Sequence, residues 1–126
     1  MNKKNYDLED RLVAFSSLVI DIVEALPGTK AGNHIGSQLI RCGLSAALLY
    51  GEAQSAESRE DFIHKMKIGA KELKETRICL KIIRKRNLIE NLQHLENTYK
   101  EDEELIAIFS KSISTAKKNK AARLTH

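Results

Sequence analysis

The chain has 126 residues, enough for one domain with its own core and too few for two. Charged residues make up 30% and apolar residues 42%, and the mean hydropathy is -0.36, a balance that excludes a disordered or membrane-embedded chain. One Pro and six Gly are too few breakers for a many-turned β-sandwich; the net charge of +4, with an isoelectric point near 9.1, suits an anionic partner but names no reaction.

The lysines near the N-terminus, Lys3 and Lys4, are followed by Asp7, Glu9, Asp10 and Arg11 rather than by an apolar run, so a signal peptide is not expected. Leu8, Leu12, Phe15, Val19, Ile22 and Leu26 then recur at alternating spacings of four and three, one apolar face of a helix over about 7–26. Pro27-Gly28 stops it. A second helix is expected over about 34–56, with Asn33 as N-cap and a seam of Ile35, Leu39, Cys42, Ala46, Leu49 and Ala53. Its second apolar side (Ile40, Leu44, Ala47, Leu48) and its glycines, Gly43 and Gly51, point to burial against more than one neighbour at close range. Ser58, with Asp61 three residues on, starts a third helix over about 59–86. Phe62, Met66, Gly69, Leu73, Thr76, Leu80 and Ile83 form its seam. A fourth helix over about 92–118 repeats the rhythm through Leu92, Leu95, Tyr99, Ile106, Phe109, Ile113 and Ala116, with Asp102 as the one polar break. Residues 119–126 carry no seam and are expected to fray.

Four seamed helices joined by short loops define an all-α, up-down-up-down antiparallel four-helix bundle. The uncharged runs Leu12–Ile20 and Cys42–Gly51 are too short to cross a bilayer. Ile20, Ile63, Ile68, Ile78, Cys79, Ile82 and Ile108 fall off the seams, and a second apolar stripe is better explained by a subunit contact than by chance exposure. A homo-oligomer is therefore expected.

Charge is unevenly placed. From Lys65 to Arg86 there are nine basic residues against two acids, Glu72 and Glu75. Lys67, Lys71, Lys74, Lys81 and Lys85 share one face, with Arg77 and Arg84 at its edge. Such a stripe matches a phosphate backbone, although the same spacing also describes an ordinary solvated face. After Glu104 the chain carries Lys111, Lys117, Lys118, Lys120 and Arg123 with no acid, either a basic arm for nucleic acid or an answer to the helix dipole. On the second helix Gln38, Arg41, Ser45 and Glu52 form a polar stripe. Arg41 and Glu52 stand about three turns apart, so each is expected to meet another helix or subunit in a structural polar network, with a ligand site as the lesser alternative.

Nothing in the chain reads as catalytic. His34, His64, His94 and His126 are scattered, and the HExxH, CxxC, P-loop and GxSxG patterns are all absent. Asp61 and His64 imitate half of a di-iron motif without a second copy, so no metal or cofactor is expected. Cys42 and Cys79 have no zinc or disulfide-framework spacing and read as small core residues in a reducing, cytoplasmic setting. Six aromatics are too few for base-stacking recognition.

The stretch from Ile35 to Ile82 resembles the four-helix-bundle family of 23S rRNA intervening-sequence proteins. Four segments carry the resemblance: Gln38-Leu39-Ile40-Arg41-Cys42, then Ser45 to Ala53, then Ser58-Arg59-Glu60-Asp61-Phe62, then Ile68 to Thr76. Ala47, Leu49 and Ala53 replace the family's Pro, Asn and Gly, whereas Gln38, Arg41, Ser45 and Glu52 occupy shared positions. The resemblance implies a bundle in a ring-like homo-oligomer. The architecturally similar accessory variability proteins of diversity-generating retroelements are basic, pentameric and nucleic-acid binding. Together these readings lead to the expectation of a non-enzymatic, cytoplasmic oligomer that contacts RNA or DNA through its phosphates. The alternative is an interaction module that docks a partner protein, such as a reverse transcriptase or a toxin-like protein, without nucleic acid.

Overall fold

The computed structural model describes the backbone of residues 7–124 and the side chains of residues 7–119. The chain forms α1 (Leu8–Ala25), α2 (Lys30–Gln54), α3 (Arg59–Lys85) and α4 (Leu92–Leu124), and there is no strand among the described residues. Each helix packs antiparallel on the next, and α4 returns to α1 through the smallest of the four interfaces.

Local chemistry sets the helix ends. The Asp7 carboxylate accepts from the Glu9 N–H at 2.9 Å and starts α1, and the Ser58 hydroxyl accepts from the Asp61 N–H at 3.0 Å and starts α3. The start of α2 differs from the sequence expectation. Thr29, not Asn33, is the cap, accepting from the Gly32 N–H at 3.0 Å, and the helix begins at Lys30. The turn is so tight that a Cβ on Gly32 would stand 2.1 Å from the Pro27 carbonyl oxygen. The end of α3 is a Schellman motif: Asn87 takes the left-handed conformation (φ 51), the Leu88 N–H donates to the Ile83 carbonyl and the Asn87 N–H to that of Arg84. Asn91 then caps α4, accepting from the His94 N–H at 3.0 Å. The fourth helix does not stop near 118 but runs on to Leu124, because Lys, Ala and Arg are good helix formers and no breaker intervenes.

The core is built from the expected seams. Leu12, Phe15, Val19 and Ile22 of α1 meet Leu39, Cys42 and Ala46 of α2, Met66, Leu73, Leu80 and Ile83 of α3, and Leu95, Leu105 and Phe109 of α4. Small residues permit the close approaches: a Cβ on Gly43 would lie 2.6 Å from Val19 Cγ1, and one on Gly69 would lie 2.6 Å from Phe109 Cε2. Gly51 faces open space instead, so close packing does not account for it. The off-seam group divides. Ile63 is buried, and Cys79 and Ile108 pack against the core, whereas Ile20, Ile78 and Ile82 are exposed. Leu92, placed on the α4 seam by its spacing, is also exposed, because it stands in the first turn of the helix.

Candidate nucleic-acid interface

On α3, the residues two or three positions from the core seam turn outward. Lys67, Lys71, Lys74, Lys81 and Lys85 are all exposed. Lys67, Lys71 and Lys74 border an open groove of about 580 Å³ between α3 and α4, with Ala70, Ile78 and Ile113 supplying its apolar wall. These five lysines have no ion-pair partner among the described residues.

Glu72 and Glu75, the only acids within the basic run, turn toward Arg41, whose Nη1 donates to Glu72 Oε1 at 3.1 Å and whose Nη2 donates to Glu75 Oε1 at 3.0 Å. Hydrogen bonds donated to Glu75 and Glu72 hold the Arg41 guanidinium above its ordinary pKa. Gln38 Oε1 accepts from the same guanidinium at 3.5 Å, and the Ser45 hydroxyl donates back to the Arg41 carbonyl at 2.6 Å. Glu52 binds Lys65 at 2.8 Å and raises that lysine's pKa. Arg41 and Glu52 thus fasten α2 to α3, while Gln38 and Ser45 bond to Arg41 within α2. Spacing along α2 could not name these partners. The signal was the pair Glu72 and Glu75, one helical step apart on the facing helix.

The two arginines at the edge of the stripe are placed differently from the lysines. Arg84 donates to Glu96 at 3.0 Å and stacks over the Tyr99 ring at 4.6 Å. Arg77 is half-buried between α3 and α4; it lines the groove, yet its Nε is sealed from solvent without a hydrogen-bond partner. Lys117 and Lys118 are exposed near the end of α4, and Lys120 lies outside the described side chains.

Inside the bundle, Asp102 is 0% exposed, and neither carboxylate oxygen has a partner. Burial pushes its pKa up to about 8, against the pull of the Arg77 charge. Cys42 and Cys79, 37 residues apart in the chain, become neighbours across α2 and α3, both as free thiols. Hydrogen bonding with Cys79, then with Thr76, lowers Cys42 to about 7 in spite of its burial, while Cys79 is driven up by the same contact and by desolvation. Asp7, Glu9 and Asp10 cluster at the start of α1, all exposed, where acids suit the helix dipole.

A row of exposed lysines on an antiparallel four-helix bundle places the chain among small all-α bundle proteins. More particularly, the chain belongs to the family of 23S rRNA-intervening sequence proteins, whose profile matches residues 4–111. The fold is similar to that of a protein of unknown function from the S23 ribosomal protein family of Bacteroides thetaiotaomicron, with a TM-score of 0.78 and 24% identity over 85% of this chain and 98% of that one. No curated protein matches the chain. No helix among the described residues is long and apolar enough to cross a membrane.

Proposed function

We propose that this chain is a non-enzymatic, cytoplasmic nucleic-acid-binding protein that takes the phosphate backbone of RNA or DNA on the outer face of α3. The observation that carries the reading is the row Lys67, Lys71, Lys74, Lys81 and Lys85, exposed and without an ion-pair partner among the described residues, while Arg41 engages Glu72 and Glu75, the two acids of the same run. Lysines of this kind read charge rather than sequence, so binding is weakly specific and falls steeply with salt, by a logarithmic slope of about 0.9 for each phosphate neutralised. Lys117 and Lys118 extend the charge along α4, and Arg84, already paired, contributes less than its position in the stripe implies.

The reading includes a homo-oligomer. Val13 and Ile20 of α1 and Ile40 and Leu48 of α2 are exposed, with Val13 at 57% and Leu48 at 69%. A ring of copies would cover them. The same residues favour the second reading, a module that docks a partner protein. Light scattering with fluorescence anisotropy on a structured RNA and a duplex DNA, at low and moderate salt, separates the two. Salt-sensitive binding supports the first reading. A stable oligomer that binds neither nucleic acid at low salt refutes it and leaves the docking module.

A further inference from the structure

Among the described residues, three side-chain atoms are sealed from solvent without a hydrogen-bond partner: Asp102 Oδ1, Asp102 Oδ2 and Arg77 Nε. They belong to facing residues of α4 and α3, and the charge of Arg77 acts directly on the Asp102 carboxyl. A buried carboxylate with no donor is costly, and so is a buried guanidinium nitrogen with no acceptor. Neither residue is satisfied by the bundle alone. Arg77 differs from Asp102 in one respect: it also lines the groove bordered by Lys67, Lys71 and Lys74. One guanidinium therefore stands between two competing anions, the Asp102 carboxylate inside the bundle and whatever occupies the groove outside.

We propose that Asp102 is a positioning residue whose proton decides whether Arg77 serves the groove or the bundle interior. The inference rests on the nucleic-acid reading above and assigns Arg77 to the phosphate site there. With Asp102 protonated, the carboxyl is neutral and makes no ionic claim on Arg77, so the guanidinium is available to a phosphate alongside the three lysines. With Asp102 ionised, the carboxylate holds the guanidinium inward and cancels its charge at the groove. Of the groups that act on Asp102, α3 supplies Arg77, α2 supplies Cys42, α4 itself supplies Glu103, and α1 supplies none among the described residues. Cys42 and Glu103 oppose ionisation and Arg77 favours it, so a phosphate that draws Arg77 outward raises the affinity of Asp102 for its proton. Anion binding and proton uptake are then reciprocal.

The test is the affinity for a fluorescein-labelled RNA hairpin at low salt between about pH 6.5 and about pH 9, a window that brackets the titration of the carboxyl. Wild-type affinity is expected to fall across it by about three- to tenfold, within the tenfold-per-unit limit for one linked proton. Asp102→Asn keeps the low-pH affinity throughout. Arg77→Gln is weaker at low pH and shows no such fall, with circular dichroism confirming that both variants are folded. A fall of the same size in either variant overturns the proposal. A second readout needs no RNA and no variant of Asp102: the carboxyl carbon of Asp102, followed by nuclear magnetic resonance, titrates far above an ordinary carboxylate, and its midpoint rises in Arg77→Gln. A midpoint in the ordinary range, or one indifferent to Arg77, overturns the pairing. Absence of RNA binding at every pH, with the Asp102 titration as expected, overturns the nucleic-acid reading and the role of Arg77 in it while the buried pair stands.

Discussion

Replacing Gly69 by alanine adds one methyl group where α3 meets Phe109 of α4. The new Cβ would lie 2.6 Å from Phe109 Cε2 and 3.2 Å from Cδ2, well inside contact distance. Phe109 is wholly buried, and its ring stands 6.4 Å from that of Tyr50, so it is walled in. Alanine gains about 1 kcal/mol over glycine in a helix interior. Overpacking a filled core costs about 1–3 kcal/mol. The net expectation is a loss of stability of up to about 2 kcal/mol, or several degrees in Tm for a chain of this size. Gly51 supplies the opposite sign on α2, since nothing lies within 4 Å of its Cβ position. Gly51→Ala should keep most of the propensity gain, about 0.5–1 kcal/mol. Urea unfolding followed by circular dichroism reads both, with the slope m unchanged in each. If Gly69→Ala matches or exceeds the wild type, the α3–α4 contact is looser than described; if Gly51→Ala destabilises, the space beside it is occupied.

Three further outcomes are expected. Lys67→Glu, Lys71→Glu and Lys74→Glu together should abolish binding of structured RNA at low salt and leave the thermal midpoint nearly unchanged, because all three side chains are exposed; calorimetry beside the binding assay checks both halves. The folded-state pKa of Asp102, about 8, lies above the unfolded value of about 3.9, so the group stabilises the fold most at low pH and that stability is lost as pH rises toward 8. The stability of the wild type relative to Asp102→Asn should therefore decline between about pH 4 and about pH 8, by no more than about 1.4 kcal/mol per unit, and parallel curves from paired urea titrations would disprove it. Cys79→Ala removes the largest influence lowering Cys42, so the Cys42 thiolate, followed by its ultraviolet absorbance, should appear at a pH above 7; an unchanged titration would mean that the two thiols do not interact.

The sequence carries the helices and their buried faces because a core helix repeats its apolar residues at the period of its backbone, and α1 is the clearest case, with Leu12, Phe15, Val19 and Ile22 all enclosed. It carries the lysine row for the same reason. Pairing across helices is not periodic along any one of them, so neither the partners of Arg41 nor the meeting of Cys42 with Cys79 was visible before the helices were placed side by side. The sequence places Arg77 at the edge of the lysine face, but not that its Nε is sealed from solvent against α4 while Lys74 stays exposed. Helix ends failed where a chemically adequate alternative stood nearby. Asn33 could have capped α2, but Thr29 stands one turn earlier, beside a glycine that the turn requires.

The return of α4 to α1 has a consequence for how the bundle opens. Along α2 the first helix is held by close packing, with Val19 pressed against Gly43 and with Val23 and Leu26 against Gly36. Against α4 the polar fastenings are Arg11, which donates to Glu101 at 2.6 Å and Glu104 at 2.7 Å, and His94, whose Nε2 lies 3.2 Å from the Leu18 carbonyl oxygen. The α1–α4 interface is thus the shallowest seam in the molecule, while α2, α3 and α4 form a continuous slab. Amide hydrogens of α1 should exchange with solvent through a partial opening that leaves α2 to α4 protected, and the hinge for that opening is the Pro27–Gly28 turn. In that open form Leu12, Phe15, Val19 and Ile22 are bared at once, so the N-terminal helix is the unit through which this bundle would first exchange segments with another copy or succumb to a protease.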